Sequence, residues 1–224
     1  MALLELGRAG DGVALLTLNR PDRRNALSTE LREEGCRHLA ALAADESVRA
    51  LVVTGAGTVF SAGFDLKEFE QAAGDEAFGR RLWASSDEWH RRWIEFPVPT
   101  VAAVNGPAIA GGFDVAVMCD LRVVAESASF AHPEITFGDV VYGPLHDLVG
   151  GAVARDLCFT GRRIDAEEAE RLGLVTVLVP DAQVLDEALG LAAGIASAPR
   201  EVLVRTKAKA VRRAATNPGG TLDL

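Results

Sequence analysis

Short apolar runs and amphipathic stretches alternate along the first quarter of the chain. Val13–Leu18 (V-A-L-L-T-L) and Ala50–Thr54 (A-L-V-V-T) have the length and the β-branched content of buried strands. Between them, residues 30–44 carry apolar side chains at helical spacing, and Ser28 stands where an N-cap belongs. The order strand, helix, strand predicts a layered α/β unit.

The middle of the chain repeats this alternation over shorter and unequal segments, which is not the pattern of a sequence repeat. Proline and glycine punctuate it at Pro97, Pro99 and Gly111-Gly112. The predicted elements are a strand at Thr100–Val104, a helix at Phe113–Cys119, a strand at Asp120–Ala125 and an extended segment at Ser129–Ala131.

Helical patterns dominate the remaining segments. Residues 66–95 are predicted to be helical, and their tryptophans, Trp83, Trp89 and Trp93, favour core or interface packing over a ligand site. The last third is predicted as helices at 144–160, 165–172 and 182–198, with a strand at 176–179 and a frayed breaker cluster at 217–220. We predict a core domain at 1–180 and a shortened C-terminal helical region at 181–224.

Composition and charge exclude several classes of protein. The 224 residues are 49% hydrophobic and 25% charged, which is the mix of a soluble globular protein. A formal net charge of −9 argues against nucleic acid and anionic membranes as partners. No apolar run has the length of a membrane span, the N-terminus lacks a signal-peptide pattern, and three widely spaced cysteines give no disulfide framework. We therefore expect a cytoplasmic protein in which Cys119 is a buried thiol.

Two glycine-containing turns each lead from a predicted strand toward a helix. The first covers residues 60–66 (F-S-A-G-F-D-L) and the second covers residues 110–114 (A-G-G-F-D). Glycine permits sharp turns and close approach of a ligand, and a helix N-terminus presents unpaired N–H groups. Side by side, two such turns would form an oxyanion hole from backbone amides, although each turn taken alone favours an ordinary tight turn.

Two acids follow the second turn. Asp114 stands about one helical turn after Gly111, and Glu134 comes directly after His132-Pro133. If both face one pocket, one acid can take a proton while the other gives one. With 32 acids in the chain, two surface carboxylates are the alternative that the residues alone leave open.

Five linked motifs resemble the crotonase superfamily, the enoyl-CoA hydratase/isomerase family. They are L-N-R-P with R-N-A-L at 18–27, the turn at 60–66, A-A-V-N-G through G-G to M-C-D at 102–120, F-A-H-P-E at 130–134, and T-G, A-E-E-A and G-L-V at 160–175. The resemblance implies a crotonase-like α/β fold of ββα superhelical turns with a helical C-terminal region. It also implies an acyl-CoA substrate, no metal or redox cofactor, and a homotrimer or hexamer.

The resemblance also implies roles for individual residues. The N–H groups of Phe64 and Gly111 match the family's oxyanion donors, and Asp114 and Glu134 match its catalytic acids. Phe113, with the Phe64 side chain, is expected to wall the acyl site. Residues expected to contact the CoA portion are Arg24, Ala26, Ala62, Asp65 and Leu66.

Departures from the family pattern leave the reaction open between several chemistries. Asp114 is one methylene shorter than the hydratase glutamate, and an aspartate there is typical of dienoyl-CoA isomerases. Tyr142 takes the position of those isomerases' third acid, where lining the pocket is the favoured role, with Asp139 nearby. The segment 143–150 is shorter than in relatives. Hydration of a 2-enoyl-CoA is the leading hypothesis; the alternatives are an enoyl- or dienoyl-CoA isomerase, a weakly catalytic acyl-CoA-binding protein, and a thioester hydrolase or decarboxylase.

A basic face is predicted on the last helix. Lys207, Lys209, Arg212 and Arg213 are expected either to meet CoA phosphates or to form a solvated surface.

Overall fold

A six-stranded sheet forms the centre of the molecule. The computed structural model describes residues 2–214 and 220–221. The strands lie in the order β1-β2-β3-β4-β6-β9, and only β1 runs antiparallel to its neighbour. A small second sheet has the order β5-β7-β8. The strands are β1 Leu4–Arg8, β2 Val13–Leu18, β3 Ala50–Gly55, β4 Thr100–Val104, β5 Ala108–Ile109, β6 Leu121–Ala125, β7 Ser129–Ala131, β8 Ile164–Asp165 and β9 Val177–Val179.

Eight α-helices cover this framework within the described residues. They are α1 Thr29–Ala44, α2 Leu66–Gly74, α3 Glu76–Ile94, α4 Gly111–Met118, α5 Gly143–Thr160, α6 Ala166–Arg171, α7 Val184–Ala196 and α8 Arg200–Ala214. The Ser28 side chain caps α1 by accepting from the Leu31 N–H at 3.3 Å, as its position predicted. Mixed α/β architecture with a helical C-terminal region confirms the predicted fold class.

The core lies around the parallel strands. Every residue of β3 and β4 is buried, because helices or strands cover both faces of a parallel sheet. Helix α7 packs on β3, β4 and β6, so residues beyond position 180 help to cover the central sheet. The proposed division at residue 180 stays a prediction, and most of the predicted breaker cluster, 217–219, lies outside the described residues.

The structure corrects several predicted element boundaries. The single helix predicted at 66–95 is two helices, because Asp75 leaves the helical conformation and caps α3 through the Phe78 N–H at 3.0 Å. Helix α5 is interrupted at Gly150, where φ is 76° and ψ is 164°. The strands β1, β5 and β8 were not predicted, because β5 and β8 are only two residues long and β1 (L-E-L-G-R) lacks a continuous apolar run.

The structure confirms core packing for two of the three tryptophans and corrects one residue of the predicted basic face on the last helix. Trp89 and Trp93 are fully buried with ring centroids 5.5 Å apart, as predicted, whereas Trp83 is 41% exposed. Lys207 is not part of a basic surface. It is buried, and its Nζ donates to the Val98 carbonyl at 3.0 Å and pairs with Asp120 at 2.8 Å, so it ties α8 to the sheet.

Cys119 is a free, buried thiol, as predicted, and the structure shows that Cys36 and Cys158 are free and buried as well. Burial raises the pKa of the Cys119 thiol to about 12. A search of the described helices finds none with the length and apolar content needed to cross a membrane.

Candidate active site

The two predicted glycine turns lie side by side. The Ile109 N–H donates to the Ser61 carbonyl at 2.9 Å, which joins the second turn to the first. A Cβ placed on Gly63 would lie 2.8 Å from the Ile109 oxygen and 3.0 Å from the Gly111 nitrogen. Gly63 also has φ +83°, so both its conformation and its surroundings require glycine. Gly63, which precedes Phe64, therefore packs directly against the Gly111 amide.

The backbone groups of Gly63 and Ala110 form hydrogen bonds with other segments, whereas the amides of the residues that follow them, Phe64 and Gly111, do not within the described part of the chain. The Gly63 carbonyl accepts from Leu27 at 2.8 Å, and the Ala110 N–H donates to Ala131 at 2.9 Å. Ala110 then turns sharply, with φ 52° and ψ −128°, and Gly111 becomes the first residue of α4. None of the described residues accepts a hydrogen bond from the Phe64 N–H, and a first-turn N–H such as that of Gly111 has no acceptor within its helix. Two adjacent amides are thus available to an external oxygen.

A buried cation supports the first turn. The Arg32 side chain is fully buried; it donates to the Leu27 carbonyl at 2.5 Å and to the Ser85 hydroxyl at 2.9 Å. Its guanidinium carbon lies 4.2 Å from the centre of the Phe64 ring, a cation–π contact. Burial lowers the pKa of Arg32 to about 10. Arg32 was not singled out from the sequence, because an arginine at a helical position is ordinarily solvated.

The two predicted acids lie together, against the possibility that both are surface residues. Asp114 is on the first turn of α4 and is 5% exposed, and Glu134 stands in the short 3-10 turn after β7. The His132 Nδ1 bridges them, 2.9 Å from Glu134 Oε1 and 3.8 Å from Asp114 Oδ1. One ligand-type atom from each of these three residues lies within 4.8 Å of the others. The expectation of no metal stays a prediction.

A second histidine reaches the pair from a distant part of the chain. His90, on α3, is 1% exposed, and its Nε2 lies 3.8 Å from Asp114 Oδ2. His132 was visible in the sequence only as part of a motif, and His90 was missed. Its one sequence signal is a polar residue on the helix face that also carries Trp89 and Trp93.

Each acid has a buried oxygen atom without a hydrogen bond. Asp114 Oδ1 and Glu134 Oε2 are buried and have no partner within hydrogen-bond distance among the described residues. The thiol of Cys158 closes this region from α5. Burial, together with the nearby Asp114 and Glu134 carboxylates, raises its pKa to about 12, because a thiolate there would add a third buried negative charge.

A groove of about 450 Å³ lies next to Glu134, and its lining includes Ile135, Asp139, Tyr142, Cys158 and Phe159. Tyr142 lines this groove, as favoured from the sequence, and its ring lies 5.5 Å from that of His146. Cys158 lines the groove, and its thiol is also near enough to Asp114 and Glu134 for their charges to affect its pKa, so the groove adjoins the acid pair.

Phe113 has a different setting from the one expected. It is 1% exposed and packs beneath the site, with its ring centroid 4.6 Å from that of His132 and 5.1 Å from that of Phe130. In this arrangement it supports His132 rather than offering surface to a ligand. Its proposed role as a wall of the acyl site stays a prediction.

The residues expected to contact CoA are brought to one edge of the first turn. The Ala62 N–H donates to the Arg24 carbonyl at 2.9 Å, which joins the two segments. Arg20 donates to the Ala26 carbonyl and pairs with Asp65 at 3.2 Å. Leu66 is 63% exposed, and the Arg24 side chain is exposed. Their contacts with a ligand stay predictions.

Known proteins resemble this chain over nearly its whole length. The family model described as enoyl-CoA hydratase/isomerase matches residues 8–221. The chain belongs to the enoyl-CoA hydratase/isomerase family. The predicted resemblance is confirmed, and the protein is an enzyme of that family.

Individual members of the family agree with this assignment. A "Probable enoyl-CoA hydratase" of Rhizobium meliloti is 42% identical over 190 residues, covering 83% of this chain and 72% of the relative. The hydroxycinnamoyl-CoA hydratase-lyase of Pseudomonas fluorescens is 36% identical over 189 residues, covering 81% and 68%. The crystal structure of an enoyl-CoA hydratase from Mycobacterium smegmatis superposes with a TM-score of 0.87 at 34% identity, covering 97% and 85%.

Proposed function

We propose that the protein hydrates a 2-enoyl-CoA thioester to a 3-hydroxyacyl-CoA. The observation that carries the proposal is the pairing of two available amides, Phe64 N–H and Gly111 N–H, with two acids that each have a buried oxygen free of hydrogen bonds. Amides aimed at the thioester oxygen stabilise the negative charge that develops there. The acids then need only to move protons.

The proposed division of labour follows from the contacts of each acid. Glu134 in its protonated form accepts the His132 N–H at Oε1 and presents its own proton from the unpartnered Oε2 to the α-carbon. Asp114 orients a water at the β-carbon and takes a proton from it. The water oxygen forms a bond to the β-carbon, and the C=C π electrons pass through the enolate to the new α C–H bond. Water is consumed and no other reactant is needed.

Two substrates test this proposal. Purified protein is given crotonyl-CoA and, separately, a 3-enoyl-CoA. Hydration predicts loss of the conjugated absorbance with the first substrate and formation of 3-hydroxybutyryl-CoA in a mass-spectrometric assay. A gain of conjugated absorbance with the second substrate, without hydration of the first, would assign isomerisation instead.

Isomerisation is the second candidate, and one observation favours it. Asp114 has a shorter side chain than glutamate, and Asp139 and Tyr142 line the adjoining groove, so a further proton-transferring group is close by. Binding of acyl-CoA without turnover of either substrate would support an acyl-CoA-binding protein. The trimeric or hexameric assembly and the absence of a cofactor remain proposals.

His132 is expected to position Glu134. His132→Phe removes the N–H but keeps a ring that can stack on Phe113. We expect kcat to fall about 10- to 100-fold with little change in KM. A hydrogen bond to a charged or reacting group contributes about 1.5–3 kcal/mol, which corresponds to a change of this size. His132→Gln, which keeps a donor, is the matched control and should retain more of kcat. Steady-state kinetics on the turned-over substrate measure both; equal losses in the two variants would contradict the positioning role.

A further inference from the structure

His90 is held on one side by oxygen atoms. Its Nδ1 lies 2.9 Å from the Ser86 carbonyl oxygen and 3.0 Å from the Thr221 hydroxyl. Thr221 is fixed in turn, since its N–H donates to Asp87 Oδ1 at 2.7 Å and its hydroxyl lies 2.8 Å from that of Ser86. The position of the His90 ring is therefore determined by α3 and by a residue 131 positions further along the chain.

This setting fixes the tautomer of the ring. A carbonyl oxygen only accepts hydrogen bonds, so the nitrogen 2.9 Å from it, Nδ1, carries the hydrogen. In the neutral ring Nε2 then holds a lone pair. Nε2 is buried and has no hydrogen-bond partner among the described residues, and Asp114 Oδ2 is the acceptor it faces at 3.8 Å. Two hydrogen-bond acceptors that face each other away from water, here His90 Nε2 and Asp114 Oδ2, are unfavourable unless one of them is protonated and donates to the other.

Among the described residues, Asp114 is the acid that lies within 4.0 Å of His90 Nε2. The Phe64 ring stacks on the His90 ring, with centroids 6.1 Å apart. The Arg32 guanidinium lies over the Phe64 ring, 4.2 Å from its centre. His132 and Glu134 lie on the other side of Asp114, toward its Oδ1. Asp87, on His90's own helix, binds the Thr221 N–H. The Asp114 carboxyl is thus the group that His90 Nε2 can reach.

We propose that His90 is a positioning residue that acts through Asp114: its Nε2 accepts a hydrogen bond from Asp114 whenever that carboxyl carries a proton. The proposal rests on the proposed hydration. As the water oxygen bonds to the β-carbon, the water O–H bond breaks and its proton goes to Asp114. The new Asp114 O–H donates to His90 Nε2, which stabilises this form without receiving the proton. Thr221 and Ser86 keep Nδ1 protonated so that Nε2 remains the acceptor.

Substitution of His90 tests this role with a control elsewhere on the chain. His90→Phe keeps an aromatic ring next to Phe64 and removes the acceptor. We expect kcat to fall about 10- to 100-fold with KM nearly unchanged, because the lost contact forms only after proton transfer. His38 is the matched control, since its Nε2 also lies 3.8 Å from a carboxylate, Glu34, but with 32% of its side chain exposed. His38→Phe should leave kcat unchanged; an unchanged kcat in His90→Phe would overturn the proposal.

Thr221 provides a second, subtler pair of variants. Thr221→Ser keeps the hydroxyl, and Thr221→Val removes it with little change of shape. The proposal predicts that Val lowers kcat several-fold and Ser does not, at equal melting temperatures. If kcat fell equally in both variants and their melting temperatures fell as well, Thr221 would have a structural role only and would be removed from the proposal.

The ¹⁵N NMR signals of the histidine rings test the His90–Asp114 contact independently of whether the protein hydrates enoyl-CoA. The chain has four histidines, so the ¹⁵N signals of His90 can be identified by their disappearance in His90→Phe. We expect a hydrogen on Nδ1, and an Nε2 signal that shifts in Asp114→Asn. A neutral ring with its hydrogen on Nε2, or a signal unaffected by Asp114→Asn, would refute the pairing. If the pairing is seen but no enoyl-CoA is hydrated, the hydration assignment fails and the His90–Asp114 contact stands.

Discussion

Glu134→Gln is expected to lower kcat for enoyl-CoA hydration by about 10²- to 10⁴-fold, the range typical of a lost general acid. The amide has nearly the same shape, and its oxygen can still accept the His132 N–H that now lies 2.9 Å from Glu134 Oε1. It cannot deliver a proton to the α-carbon. Because packing and the hydrogen bond persist, the melting temperature should stay close to that of the wild type.

The measurement is steady-state hydration of crotonyl-CoA, with KM and melting temperature determined in parallel. Glu167→Gln is the control, since the side chain of Glu167 is 82% exposed on α6 and pairs only weakly with Arg171, at 4.0 Å. That variant should be fully active. A Glu134→Gln enzyme with wild-type kcat would show that Glu134 is not the proton donor, and the acid pair would lose its assigned roles.

Gly63→Ala is expected to lower kcat/KM by about 10²- to 10³-fold, the effect of losing one donor of an oxyanion hole. The added methyl would lie 2.8 Å from both the Ala110 Cβ and the Ile109 oxygen and 3.0 Å from the Gly111 nitrogen. To relieve these contacts the two turns must separate, and the amides of Phe64 and Gly111 would no longer converge. Glu134, which lies further along the chain, would keep its hydrogen bond with His132.

A second glycine separates this effect from backbone strain. Gly173 has φ +80°, close to the +83° of Gly63, but a Cβ there would meet no atom within 4 Å. Gly173→Ala therefore carries a similar conformational cost, about 1–2 kcal/mol, without the clash. It should lower the melting temperature and leave kcat/KM near that of the wild type. If the two variants lost activity equally, strain and not displacement of the amides would be the cause.

Much of the fold was predictable from local patterns. The buried runs at Val13–Leu18 and Thr100–Val104 are strands with the predicted boundaries, since a continuous apolar run between breakers has few other stable states. Ser28 was correctly predicted as a cap because capping depends on a few adjacent residues. The family followed from five motifs whose order and spacing are specific together.

Features that depend on contacts between distant parts of the chain were not predictable from local sequence patterns. Lys207 was assigned to a basic surface because helical periodicity does not reveal that Asp120 and the Val98 carbonyl lie beneath it. The break in α5 falls at Gly150-Gly151, a glycine pair that the predicted helix at 144–160 runs straight through. Short strands such as β5 form only because a neighbouring strand is already in place.

The sequence by itself determined the types of element, the glycines at the two turns, and which acids to suspect. Only the tertiary structure decided that Asp114 and Glu134 share a buried site with His132 between them, and that His90 and Thr221 stand behind it. The physical reason is that backbone preference and amphipathic periodicity act over a few residues. Burial of a polar group and the choice of its partner are instead set by elements that meet only when the whole chain has packed.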